Sequence, residues 1–259
     1  VSKWQGNFDF AKAKSEDVKF AILRGAYSTS KDVKFEQYYN ACKGLNIPVG
    51  VYLYSMAKSV SEARTEANFL INNVLKGKQF EYPIYMDVED KVQRALGKDL
   101  LTDIVITFCD TLEKAGYYVG IYSSASFFKS YMHEDKLKRF DKWIAQWNKS
   151  CTYNSEYGMW QFGGETNKIR SNKIAGVTCD QNYAYKDYPK IIKENGLNGY
   201  KNILVKPSKT VEQIAHEVID GKWGNGEDRK TKLTKAGYDY ESVQTEVNKL
   251  LNTTKEVIY

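Results

Sequence analysis

The segment Tyr82-Pro-Ile-Tyr-Met-Asp-Val-Glu89 carries the two carboxylates best spaced for chemistry. Its apolar run predicts a strand, and strand side chains alternate, so Tyr85, Asp87 and Glu89 point the same way. Two carboxylates so spaced have Cα atoms roughly 6 to 7 Å apart. In a sheltered cleft their repulsion would raise one pKa and leave the other ionised. That suits an acid protonating a leaving oxygen beside a charge that supports a developing cation. The same residues would also serve as solvated strand-end carboxylates capping the next helix. Asp180 follows an apolar stretch and could join this cluster, or act as a turn residue. Tyr52, Tyr54, Tyr122, Trp147 and Trp160 stand near other strand ends, where aromatic faces suit sugar rings as well as cores.

Other chemistries are poorly supported. The two histidines, His133 and His216, lie far from any plausible nucleophile and cannot build a multi-histidine metal site. Cys42, Cys109, Cys151 and Cys179 have no paired spacing, which favours four reduced, mostly buried thiols over a zinc knuckle or redox pair. No GxGxxG or Walker-type loop follows a strand, so no cofactor is expected. Lys and Arg total 38 against 32 Asp and Glu, a net +6 that favours an anionic polymer but not a dedicated nucleic-acid binder. No apolar run reaches the roughly 18 to 20 residues of a membrane span.

The elements that must position these residues alternate along the first two-thirds of the chain. Strands are expected at 20–27, 49–55, 82–89, 118–123, 142–147, 158–162 and 176–182. A helix is expected from Phe35 to Leu45. A second follows the capping-box spacing of Ser59 and Glu62, with Ala63, Ala67, Leu70, Ile71 and Val74 on its core stripe. A third carries Leu101, Ile104, Val105, Phe108 and Leu112, stopped by Gly116. Strands apolar on both faces with amphipathic helices between them imply a mostly parallel sheet, closed as an irregular (β/α) barrel whose active site lies at the strands' C-terminal ends. The pattern breaks between Gly196 and Pro207, which reads as a linker. Beyond it, Ser208 and Thr210 are cap candidates for a helix bearing Val211, Ile214, Ala215, Val218 and Ile219. Two more helices follow, around Leu233 and from Tyr240 to Leu251, with a tail after Asn252. The organisation expected is an α/β barrel over 1–196 and a three-helix module over 207–251.

Several motifs together resemble the glycoside hydrolase family 25 lysozymes. They are Val1-Ser-Lys-Trp-Gln-Gly-Asn-Phe-Asp-Phe10, Val49-Gly-Val-Tyr52, Tyr85-Met-Asp-Val-Glu89, Gly120-Ile-Tyr-Ser123, Trp143-Ile-Ala-Gln-Trp147, Trp160-Gln161 and Val177-Thr-Cys-Asp-Gln-Asn182. The resemblance implies an irregular (β/α) barrel and an N-acetylmuramidase cleaving the β-1,4 bond between N-acetylmuramic acid and N-acetylglucosamine. It implies Glu89 as general acid and Asp87 as the partner that orients the acetamido group or supports the transition state. Asp180 would be the carboxylate across the cleft and Tyr52 a cleft tyrosine near the scissile bond; Tyr122, Trp147 and Trp160, as strand-end aromatics, could line the same rim or belong to the core. The opening residues would be a first strand and turn. In the family a Gly-Ile-Asp, whose aspartate is a cleft carboxylate, precedes that opening; this sequence starts one residue after it, so either the recorded sequence is clipped or the protein lacks a group its relatives use.

The segment from Gly221 to Leu233, with Ala236-Gly-Tyr238, is similar to the short cell-wall-binding repeat of some phage lysins, which binds a disaccharide-peptide of peptidoglycan. Asp228 and Arg229, near a helix N-terminus beside Trp223 and with Asn225 close by in sequence, could hold a sugar and a carboxylated peptide stem; alternatively Arg229 is a surface charge, and Trp223 reads as the small domain's core anchor. The expected protein is a peptidoglycan hydrolase, an endolysin or autolysin, acting at the bacterial wall after secretion or release at lysis. Its partner would be peptidoglycan, with no nucleic acid, membrane or metal. A non-hydrolytic wall-binding protein and a chitin-type hydrolase are the alternatives.

Overall fold

The strands of the first two-thirds alternate aliphatic with aromatic or charged residues, and this alternation decides which face looks where. In the computed structural model, which describes residues 1–200 and 209–253, the chain divides into two compact units, Val1–Lys201 and Asn202–Tyr259. The first opens with a 3-10 turn, Lys3–Gln5, and α1 (Phe10–Ser15), then β1 (Ala21–Tyr27), β2 (Ser30–Lys31), α2 (Phe35–Gly44) and β3 (Val49–Tyr54). Next come α3 (Val60–Leu70), running into a π turn, β4 (Ile84–Asp87), α4 (Lys91–Arg94), α5 (Lys98–Lys114), β5 (Val119–Ser124), α6 (Ala125–Tyr131) and β6 (Asp141–Ala145). The unit ends with β7 (Met159–Gly163), the small hairpin β8 (Lys173–Ile174) and β9 (Val177–Thr178), β10 (Gln181–Ala184) and α7 (Tyr188–Glu194).

Eight strands form one sheet in the order β10-β7-β6-β5-β4-β3-β1-β2. The pairs from β1 through β7 are parallel, and β2 and β10 pair antiparallel at the two ends. Val49, Val51, Leu53, Ile84, Met86, Val119 and Ile121 pack outward against the helices in the main core. Tyr85, Tyr122, Trp143 and Met159 face inward with Ile22, a residue from the other side of the sheet, so the sheet curls into an irregular barrel.

Most of the expected strands and helices are present with small shifts at their ends, with two exceptions among the strands. Ser59 Oγ accepts from Glu62 N at 3.2 Å, but the Glu62 carboxylate takes Lys58 N, so only half of the capping box forms. The expected first strand is absent. Val1 makes two backbone bonds to β1, to Ile22 O and from Arg24 N, before the chain turns at Lys3–Gln5. The stretch 176–182 is not one strand: Cys179 and Asp180 separate β9 from β10. Cys42, Cys109 and Cys179 are buried free thiols and Cys151 is half-buried.

The linker begins later than expected. Asn198 is fully buried, accepting from Tyr118 N at 2.8 Å and donating to Tyr82 O at 2.9 Å. Its backbone bonds Gly116 O and Phe80 N. The amide thereby ties the starts of β4 and β5 together, so the barrel continues through Gly196–Tyr200.

In the second unit Thr210 caps α8 (Val211–Ile219) with a complete capping box, α9 spans Gly226–Lys235 and α10 spans Tyr240–Thr253. Ser208, the other cap candidate, and most of the expected tail lie outside the described residues. Ile214, Ala215, Val218, Leu233, Tyr238, Val243 and Val247 form the core of this unit, with Trp223 packed against it. Gly221 and Gly237, both at positive φ, follow the first two helices as stops.

Candidate active site

Parallel register lines the inward side chains into rungs. Tyr54, Asp87, Tyr122, Trp143 and Met159 are successive partners along one rung, and Arg24, Tyr52, Tyr85, Gly120 and Asp141 along the one beneath it. Gly120 is a glycine for a packing reason: a Cβ there would lie 2.6 Å from Tyr85 Cδ1. The space above these rungs is a cleft of about 650 Å³, within the usual range for small-ligand sites. Asp87, Glu89, Asp180, Tyr52 and Tyr122 all line it, together with Arg24, Tyr54, Trp143, Gln161 and Asn182.

Asp87 sits at the end of β4, 4% exposed, and its Oδ1 has no hydrogen-bond partner among the described residues. Burial, then the Glu89 and Asp180 carboxylates, push its pKa well above the usual carboxylate range, opposed by Arg24. Glu89 lies two residues past the strand end at the mouth of the cleft. It touches solvent, yet the surrounding walls desolvate it enough to raise its pKa, helped by Asp180 and Asp90 and opposed by Arg94. Asp180 is raised chiefly by the same partial burial. The sequence leads one to expect one raised carboxyl beside one ordinary carboxylate; in the fold burial and mutual repulsion push all three crowded groups upward. Desolvation likewise pushes the Tyr52 and Tyr122 phenols upward, leaving both neutral.

The aromatic walls are organised around Trp143. Its ring lies 4.5 Å from Tyr122, 5.1 Å from Tyr85 and 6.2 Å from Tyr52 between centroids, and its Nε1 donates to Asn182 Oδ1 at 2.8 Å. Gln161 Oε1 accepts from both Tyr122 Oη (3.1 Å) and Trp147 Nε1 (2.9 Å). Trp147 stands beside Asp180: a Cβ on Gly164 would sit 2.5 Å from Trp147 Cζ2 and against Asp180 Oδ1, so Gly164 leaves room for both. Trp160 does not reach the cleft. It lies on the other face of β7 from Met159 and Gln161, packs on Phe162 and Tyr183, and donates to Gln146 O at 2.8 Å.

Sequence reasoning passed over Arg24, Trp143, Gln161 and Asn182. A lone charge inside the apolar strand 20–27 was the available signal for Arg24; nothing local marked Trp143, whose place follows from its pairing with Tyr122. Among the described residues no cluster of His, Cys, Asp and Glu is arranged to hold a metal ion.

Residues 1–170 match the model of the glycosyl hydrolases family 25. The chain belongs to that family. A CW_7 repeat matches residues 212–251. The chain is 29% identical over 254 residues to a lysozyme of Streptococcus phage Cp-7, covering 93% of this chain and 69% of the phage protein. It is similar to the modular autolysin LytC of Streptococcus pneumoniae at 27% identity and TM-score 0.59, covering 70% of this chain but only 44% of the autolysin. The fold is shared with a family 25 glycosyl hydrolase from Bacillus anthracis, at TM-score 0.60 and 21% identity, covering 74% of this chain and 89% of that one. As a family 25 member the chain is a glycoside hydrolase.

In the CW_7 repeat, Arg229 spends its guanidinium on neutral acceptors: Gly224 O (3.0 Å), Asn225 Oδ1 (2.9 Å) and Gln244 Oε1 (3.2 Å). It thereby ties the loop before α9 to α10, and no carboxylate among the described residues pairs with it. Asp228 is exposed and pairs with Lys232 at 2.7 Å. Trp223 is half-buried, edge-on to Tyr238, and donates to Glu217, which agrees with its reading as a core anchor.

Proposed function

We propose that this family 25 hydrolase is a muramidase of bacterial peptidoglycan, an endolysin or autolysin, with Glu89 as its general acid and Asp87 as the group that handles the acetamido substituent. The observation that carries this is the placement of the two carboxyls. Glu89 is at the mouth, where a glycosidic oxygen can reach it, and its raised pKa keeps a proton available. Asp87 is deeper, with a buried acceptor, Oδ1, that lacks a donor. An acetamido N–H would satisfy that acceptor and turn the carbonyl oxygen toward its own anomeric carbon. Attack by that oxygen as Glu89 protonates the leaving group forms an oxazolinium-type ion, and water then opens it with retention. Asp180 adds negative charge across the cleft, which stabilises the developing cation. Tyr52 and Tyr122 supply walls for the sugar rings, and Trp147, exposed beside Asp180 and outside the cleft lining, extends that aromatic surface.

The CW_7 repeat carries the wall-binding role, with Asn225, Asp228 and Arg229 on the side that meets a muropeptide. Anchoring raises the local glycan concentration at the cleft. The enzyme reaches its polymer by secretion or by release from a lysing host. Digesting purified walls and identifying the new ends by mass analysis tests the bond assignment. New N-acetylmuramic acid reducing ends support it; N-acetylglucosamine ends, cleavage of chitin alone, or binding without fragments each refute it.

A further inference from the structure

Arg24 is a cation inside an otherwise apolar strand, 8% exposed, on the wall of the cleft. Its Nε and Nη2 both lie 2.7 Å from Asp32 Oδ2. Asp32 is in turn fixed by the backbone: Oδ2 accepts from Lys3 N at 3.1 Å and Oδ1 from Lys34 N at 2.9 Å. A buried ion pair is costly to desolvate and persists only where further hydrogen bonds hold it; here the turn after Val1 and the entry to α2 both do so. Such a clamp leaves the arginine little freedom. It stands in register with Tyr52, one rung below Asp87.

We propose that Arg24, clamped by Asp32, is a positioning residue that sets the charge carried by Asp87 and thereby the pH range over which the cleft works. Arg24, Tyr52, Tyr54, Tyr122, Glu89 and Asp180 line the same cleft as Asp87, on the rungs of β1, β3 and β5 and on the approach to β10, and Asp90 follows on its own chain segment; these are the titratable and charged groups that act on Asp87 through space. Among these, three carboxylates and burial disfavour an ionised Asp87, the phenols are neutral, and Arg24 is the cation that opposes them. Asp32 neutralises part of that cation and stops it from moving.

This inference rests on Asp87 working as a carboxylate, and the test separates the two ideas. The full chain would be assayed for kcat/KM on soluble, uncross-linked glycan across pH. Arg24→Gln should move the acid limb upward by about one pH unit, about a tenfold loss below the limb, with activity recovering at higher pH. Arg24→Lys should restore the limb. Asp32→Asn removes a negative charge instead and should move the limb downward; this opposite sign is a readout that a purely structural pair would not produce. A pH-independent loss in Arg24→Gln, or shifts of the same sign in both variants, overturns the proposal. Should Arg24→Gln not fold, an unmoved limb in Asp32→Asn overturns it alone. Undiminished activity in Asp87→Asn refutes the carboxylate reading itself, whereas loss in Asp87→Asn beside an unmoved limb in Arg24→Gln refutes only the role of Arg24.

Discussion

Asn198→Ala should destabilise the barrel although it lies in a run of Asn and Gly residues. The side chain is fully buried and makes two bonds, from Tyr118 N and to Tyr82 O. Removing it leaves a backbone donor and a backbone acceptor buried without partners, at about 1 to 3 kcal/mol each. The sum is about 2 to 6 kcal/mol, and for a unit of this size about 2 to 4 °C of Tm is lost per kcal/mol. The expected fall is therefore at least about 4 °C. Thermal unfolding of a chain ending at Lys201, with and without the substitution and followed by near-UV circular dichroism, measures it. A fall under about 1 °C would show that Gly196–Tyr200 is a tether after all and that the barrel closes before Gly196.

Further outcomes follow from the same contacts. Gly164→Ala should displace Trp147 and Asp180, because the new methyl overlaps both; a shift of this kind costs about 10- to 100-fold in kcat/KM, with Tm little changed. Asp180→Asn removes a negative neighbour that raises the pKa of Glu89, so the alkaline limb of the pH–rate profile should move to lower pH; a limb that stays or rises contradicts the assignment. Truncation after Lys201 should leave cleavage of soluble glycan intact and slow the lysis of walls at low enzyme concentration. Arg229→Ala breaks three hydrogen bonds worth about 1 kcal/mol each, so it should lower the thermal stability of the repeat as well as wall affinity, and an unchanged melting curve would show those bonds to be idle.

Much of the fold was legible because periodicity records local demands. The outward Val, Leu and Ile of 49–53, 84–86 and 119–121 mark buried parallel strands, and Thr210 followed by Gln213 marks a helix start that forms as written. Asp87 and Glu89 were readable because strand parity is local. What was not legible depends on partners distant in sequence. Arg24 is explained only by its ion pair with Asp32 and its place on the cleft wall, both of which the fold supplies. Trp160 and Gln161 are adjacent, and which of them faces inward follows from the pairing of β7 with β6. Asn198 looks like a turn former, and its two side-chain bonds to residues 80 and 116 positions away make it a staple. The stretch 176–182 is split because β9 pairs with β8 in a separate hairpin while β10 pairs with β7 in the main sheet, partners that the local pattern does not reveal.

The central claim is that Glu89 delivers the proton. Glu89→Gln keeps the shape of the side chain and removes its acidity, and loss of a general acid costs about 100- to 10,000-fold in rate. The direct measurement is kcat/KM of Glu89→Gln on soluble peptidoglycan glycan, alongside its melting curve and its binding to purified walls. A loss within that range is expected, with unchanged melting and unchanged wall binding. Activity above about a tenth of the unsubstituted enzyme's would place the acid on another residue and contradict it.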